Sequence, residues 1–114
     1  MKTLEDLELP PHICQALQAA RELITKEFAV DRVVLFGSVA RGTADEESAI
    51  DLLVVLKDCP DHQMRNRISS IIFHINLEYD TNFSDLVVDQ RAWDEGMLLV
   101  LPIYAKIERE GVRM

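Results

Sequence analysis

Apolar residues recur along this chain with two different spacings, and the switches between them mark out its elements. Behind Pro10-Pro11, residues Ile13, Leu17, Ala20, Ile24 and Phe28 fall three or four apart, the stripe of a helix with one face on a core. Asp31-Arg32 interrupts it. Val33 to Phe36 is a short, continuously apolar run, the pattern of a strand covered on both faces. Gly37-Ser38 then turns the chain, Val39-Ala40-Arg41 has room for one or two helical turns before Gly42, and the acidic Thr43 to Glu47 predicts a loop. Ile50 to Leu56 (IDLLVVL) is a second, longer strand, closed by Lys57-Asp58-Cys59-Pro60. From His62 to Tyr79 the helical spacing returns in Met64, Ile68, Ile71, Ile72, Ile75 and Tyr79, and Asp80-Thr81-Asn82 ends it. Asp85 to Val88 (DLVV) is a third strand. A broken helical pattern follows from Ala92 to Glu110, with Pro102 starting its last helix and Gly111 placed to cap it.

The order α-β-α-β-α-β-α predicts a small mixed α/β layer fold, a short central sheet flanked by helices. With 114 residues, 48% of them hydrophobic, the chain can build one core, and a single domain over 1–114 is expected. A net charge of −8 argues against a free-standing nucleic-acid binder, because neutralising phosphates needs a basic face. Such a chain can still hold a nucleotide if a divalent metal bridges carboxylates to phosphates. Cys14 and Cys59 lack metal-ligand or CxxC spacing and read as reduced thiols. The acidic start MKTLEDLELPPH is unlike a signal peptide, no apolar run reaches the roughly 18 residues of a membrane span, and a cytoplasmic location is expected.

The candidate chemistry begins at Gly37-Ser38. A strand that turns on glycine into a helix aims backbone N–H groups and a hydroxyl at one spot, which favours an anion. Read alone, the pair is an ordinary turn. Ser48 and Asp51 come next. Side chains two apart on a strand share a face, so acids at positions 49 and 51 would project together and could share two metal ions. Position 49 holds Ala49. Asp85 opens another short strand, and if that strand neighbours Ile50–Leu56 its carboxylate can complete a cluster with Asp51. Taken singly, both acids would be strand-end turn residues.

Together, G-S-x-A-R-G, a short polar loop, S-x-I-D-L and a later strand opened by Asp resemble the nucleotidyltransferase superfamily of DNA polymerase beta type, and within it the minimal nucleotidyltransferases. The resemblance covers roughly Val33 to the end, including the tail Arg109 to Val112 (REGV). It implies a small polymerase-beta-like fold and a nucleotide site. Gly37 and Ser38 would hold the triphosphate of ATP, Arg41 would support the phosphates or the turn, Gly42 would let the backbone leave tightly, and Ser48 would join the nucleotide-binding residues. Asp51 would ligate Mg²⁺, and Asp85 would hold the catalytic metal near the attacking hydroxyl. Positioning and charge neutralisation carry most of such a transfer.

Ala49 departs from that pattern, which has Asp there. Loss of a residue that merely orients a metal ligand typically costs about 10- to 100-fold, and loss of a shared ligand more. Two histories account for Ala49: a natural member that lost turnover and survives as a binding partner, or an Asp→Ala substitution made to trap a complex. A domain of this size has no residues left for a second-substrate pocket, so the acceptor is expected on another protein. The resemblance implies a HEPN-domain RNase toxin, neutralised by AMP transfer to a tyrosine hydroxyl, by binding, or by both, within a hetero-oligomer. The remaining candidates read as bland. His12, His62 and His74 lack a ligand spacing; Met64, Met97 and Trp93 pack; Arg65 and Arg67 sit on a solvated face; Tyr104 is core or partner surface; Asp45, Glu46 and Glu47 are solvated.

Overall fold

In the computed structural model, residues 2–3, 10–36, 50–94, 107 and 111–113 are described. The elements are β1 (Lys2–Thr3), α1 (Pro11–Glu27), β2 (Val30–Phe36), β3 (Ile50–Leu56), α2 (His62–Tyr79), β4 (Phe83–Asp89), α3 (Gln90–Asp94) and β5 (Val112–Arg113). The strands form one sheet in the order β1-β5-β2-β3-β4. It is mixed: β3 runs parallel to β4 and antiparallel to β2, while β5 is antiparallel to β2 and parallel to β1.

Alternation along the strands sorts the core into two layers. Val33, Leu35, Ile50, Leu52, Val54, Leu56, Phe83 and Val87 point to one face, where α1 and α2 cover them with Leu17, Ala20, Ile24, Ile68, Ile71, Ile72 and Ile75. Val34, Phe36, Leu53, Val55 and Val88 point to the other, against Trp93 of α3 and Ile107. The helical stripes predicted from the sequence supply the first layer. Burial of each such side chain is worth about 1.5–3 kcal/mol, so this two-sided sheet is the main stabilising feature.

The ends are built from local chemistry. Pro11 sits in the first turn of α1, where a missing N–H costs nothing. The Asp61 side chain caps α2 by accepting from the Met64 N–H at 2.8 Å. Asp80 closes α2 in the left-handed region, φ 54°, with its N–H on the Asn76 carbonyl. Gly111 donates to the Ile107 carbonyl at 2.7 Å, while the helix it is expected to cap lies, apart from Ile107, outside the described residues.

Several boundaries differ from the sequence reading. β2 begins at Val30, so Asp31-Arg32 lies within the strand, at a register shift between Val30 and Arg32. Arg32 makes this tolerable by donating to Asp31 at 2.7 Å and to Asp94 of α3 at 2.5 Å. β4 extends two residues before and one beyond the expected Asp85–Val88. β1 and β5, each two residues, have no sequence pattern of their own. The expected turns at Val39–Arg41, the loop 43–47 and the helix begun by Pro102 lie outside the described residues, as do Met97 and Tyr104. Met64 and Trp93 pack as expected, and His12, His62 and His74 are exposed. Cys14 and Cys59 form no disulfide. Among the described residues, no helix is long and apolar enough to cross a membrane.

Candidate functional site

Asp51 is the half-buried second residue of β3, in a strand otherwise buried throughout. Its Cα partner across the antiparallel pair is Phe36, the last residue of β2. The strand that leads into Gly37-Ser38 therefore ends directly beside Asp51. On its other side the parallel register pairs Asp51 with Ser84, which is exposed. Gly37, Ser38, Arg41, Gly42, Ser48 and Ala49 lie outside the described residues.

Asp85 is not brought together with Asp51. The expectation that its strand neighbours β3 is met, since β3 and β4 pair over their whole length, but the register sets Asp85 opposite Leu52. Paired residues of adjacent strands share a face and successive residues alternate. Leu53 and Leu86 accordingly belong to the second layer, and Leu52 and Val87 to the first. Asp85 lies on the helix-covered face and accepts from the Ser69 hydroxyl of α2 at 2.8 Å. Asp51 lies on the opposite face. The shared cleft expected of the two acids is corrected to two separate locations.

What holds this register is a row of polar side chains along one flank of α2. The Asn76 amide donates to the Phe83 carbonyl at 3.1 Å and accepts from the Phe83 N–H at 2.8 Å. Its oxygen also accepts from the Thr81 hydroxyl at 2.9 Å. Two turns earlier, Ser69 reaches Asp85, and Arg65 donates to the Val87 carbonyl at 2.5 Å. β4 is the edge of the sheet, and this row satisfies outward backbone groups that would otherwise invite another strand. Arg67, on the other flank, pairs with Glu27 of α1 at 2.5 Å. That hydrogen bond holds the Glu27 carboxyl below its ordinary value. Arg65 and Arg67 are thus engaged within the fold.

A two-metal site needs several carboxylates on one face. Among the described residues no group of three or more His, Cys, Asp or Glu side chains is set to hold a metal. Asp51 is flanked in register by Phe36 and Ser84, neither of them a carboxylate, and Ala49 two positions earlier brings only a methyl group. Among the described residues, the donor set around Asp51 does not fit the metal pair that the sequence resemblance implies. Sequence reasoning missed Ser84 and Asn76. Nothing but the strand register marks Ser84; Asn76 was legible only as a polar residue near the end of a helix.

Residues 13–109 match the nucleotidyltransferase domain. The chain belongs to the nucleotidyltransferase domain family. Over 58 residues, 51% of this nucleotidyltransferase-domain chain, it is 41% identical to a provisionally named protein adenylyltransferase of Methanocaldococcus jannaschii, of which the match covers 59%. Over 61 residues it is 39% identical to a second provisionally named protein adenylyltransferase of that organism, of which the match covers 42%. The chain thus spans about half the length of these relatives. In three dimensions it is similar to a provisionally assigned minimal nucleotidyltransferase, with a TM-score of 0.55, 25% identity, and coverage of 88% of this chain and 94% of that one. It shares its fold with a toxin–antitoxin structure containing AMP-PNP, with a TM-score of 0.53, 18% identity, and coverage of 82% of this chain and 68% of that one. The mixed α+β fold expected from the sequence is that of the minimal nucleotidyltransferases.

Proposed function

We propose that this chain is the antitoxin of a toxin–antitoxin pair, built on an AMP-transferring domain, and that as it stands it neutralises its partner by binding. The observation that carries this reading is the isolation of the Asp51 carboxylate from Asp85 by strand register, combined with Ala49 in place of an acid. In the family reaction, an acceptor oxygen attacks the α-phosphate of ATP and pyrophosphate leaves. Gly37, Ser38, Arg41, Gly42 and Ser48 are the residues that would seat the nucleotide, and Asp51 the one that would face a Mg²⁺ ion bound with it.

The proposed partner is a HEPN-type RNase, with a tyrosine hydroxyl as the AMP acceptor when transfer occurs. Charge supports binding as the operative step. An RNase exposes cationic groups to hold phosphates, and a chain of net charge −8 is complementary to them. Complementary fields speed encounter and select the partner. The names of the archaeal relatives and the intact G-S-x-A-R-G motif favour AMP transfer as the ancestral activity.

The test is RNA cleavage by the purified partner with and without this chain, at low and raised salt, with mass spectrometry for added AMP. Inhibition is expected without modification. Ala49→Asp is expected to raise AMP transfer by at least the roughly 10- to 100-fold associated with lesser losses around metals. Undiminished cleavage at saturating chain, once binding is established, would refute masking and leave AMP transfer as the neutralising step.

A further inference from the structure

On the sheet face turned away from α1 and α2, Phe36, Asp51 and Ser84 stand side by side across β2, β3 and β4, because Asp51 is the Cα partner of both neighbours. Exposure rises along this row. Phe36 is buried, Asp51 half-buried and Ser84 exposed. The carboxylate therefore sits at the boundary between core and solvent, with a hydroxyl on its outer side. The row is anchored from the backbone. The Ile50 N–H donates to the Asn82 carbonyl at 2.9 Å, and the Asn76 side chain holds Phe83 by both its N–H and its carbonyl. Ser84 follows these two anchored residues directly, and neighbouring strands run roughly 4.8 Å apart. Asp85, one position further, is held by the Ser69 hydroxyl on the opposite face.

We propose that Ser84 occupies the place on β4 where a carboxylate would have to stand to share a cation with Asp51, and that its neutral hydroxyl restricts how tightly this face holds a divalent cation. The proposal rests on the reading of Asp51 as the residue that faces such a cation. Affinity for hard divalent ions follows the number of charged oxygen ligands. A serine oxygen can touch a cation, or one of its waters, through a lone pair, but it adds no charge. An acid at position 84 would stand beside Asp51 on the same face and at the solvent side, open to an incoming ion. An acid at position 85 cannot do this, because successive residues of a strand alternate between faces and Asp85 is on the side that α2 covers. The disagreement between the donor set and a metal pair thus has a definite location on β4. It is a serine where the register calls for an acid, next to an acid where the register calls for none.

The test is Mn²⁺ binding, followed by paramagnetic resonance, to four forms of the full chain: unsubstituted, Ser84→Asp, Asp51→Asn, and the two substitutions together. Ser84→Asp is expected to tighten binding by at least about tenfold, since ligand charge sets the affinity. Asp51→Asn should abolish that gain, and Asp85→Asn in the Ser84→Asp chain should leave it in place. Ser84 is exposed, so the far-UV circular dichroism should stay unchanged. Ser84→His adds a neutral metal ligand and repeats the test without setting two like charges together. No gain in either variant, a gain that survives Asp51→Asn, or one that needs Asp85 would overturn the proposal. The underlying reading fails differently: if Asp51→Asn alone leaves Mn²⁺ affinity unchanged, Asp51 faces no cation and both fall. If that substitution weakens binding while the Ser84 variants gain nothing, the role of Asp51 stands and only the assignment of Ser84 falls.

Discussion

Asn76→Ala removes the clamp between the end of α2 and the start of β4. Three side-chain hydrogen bonds disappear: to the Phe83 carbonyl, from the Phe83 N–H and from the Thr81 hydroxyl. At about 0.5–1.5 kcal/mol each, their loss costs about 1.5–4.5 kcal/mol. Two effects reduce this. β4 is an edge strand, so water can reach part of the freed Phe83 backbone, and alanine is better than asparagine in a helix by about 0.5 kcal/mol. The expected net loss is about 1–3 kcal/mol, by subtraction from the same hydrogen-bond range. The strand should nevertheless keep its register. A one-residue slip would turn Phe83 and Val87 out of the helix-covered layer, and re-exposing each costs about 1.5–3 kcal/mol.

Urea denaturation measures the total, with a lower midpoint at unchanged slope expected. Hydrogen exchange at the Phe83 amide measures the local part and should lose protection. Asn76→Asp keeps both acceptor contacts but replaces the donor to the Phe83 carbonyl with an oxygen, so it should also destabilise while preserving more of the amide protection. A midpoint within error of the parent, together with unchanged Phe83 protection, would refute the clamp and with it the physical basis for the position of Asp85.

Asp85→Asn in an Ala49→Asp background should leave Mn²⁺ affinity, measured by paramagnetic resonance titration, close to unchanged, whereas Asp51→Asn should abolish it; equal losses would place Asp85 with Asp51 after all. Gly111→Ala should destabilise by about 1–3 kcal/mol, as overpacking does, because an added Cβ would lie 2.5 Å from the Ile107 carbonyl oxygen and 2.8 Å from the Val34 Cγ1; an unchanged denaturation midpoint would show that the tail yields. Glu27 should titrate below its ordinary value of 4.5 owing to the Arg67 hydrogen bond, and Arg67→Ala should return it toward that value in a carboxyl NMR titration. Because folding depresses this pKa, the stabilisation is fully present above about pH 4.5 and fades as pH falls through the folded value.

Legibility in the sequence follows how uniquely each pattern can be satisfied. The stripe Ile13, Leu17, Ala20, Ile24 and Phe28 fits one helix face, and α1 is where it predicts. The Ile68, Ile71, Ile72 and Ile75 set leaves α2 as little choice, and His62–Tyr79 is observed end to end. β3 was equally clear because Lys57-Asp58-Cys59-Pro60 stops it and nothing polar beyond Asp51 interrupts it. β2 was cut short because Asp31-Arg32 looks like a boundary until Asp94, distant in sequence, supplies the arginine's second partner. Two-residue strands such as β1 and β5 carry too few side chains to show alternation at all.

β4 is the instructive failure, because its existence was legible and its facing was not. In FSDLVVD, Phe83 and Val87 form one apolar set and Leu86 and Val88 another, and Asp85 belongs to the first. A strand with one solvated face declares its phase by alternation; a strand covered on both faces offers an apolar residue to either. The choice between pairing Asp51 with Ser84 or with Asp85 therefore does not reside in the strand. It resides in Asn76, which grips the Phe83 backbone from the end of α2, and in the two layers that bury Phe83 and Val87 on one side and Val88 on the other. A motif read as a string assumes that acids close in pattern are close in space. Among the described residues, one residue of register decides whether Asp85 shares a face with Asp51 or lies on the opposite one, and that register is set by a helix the motif does not include.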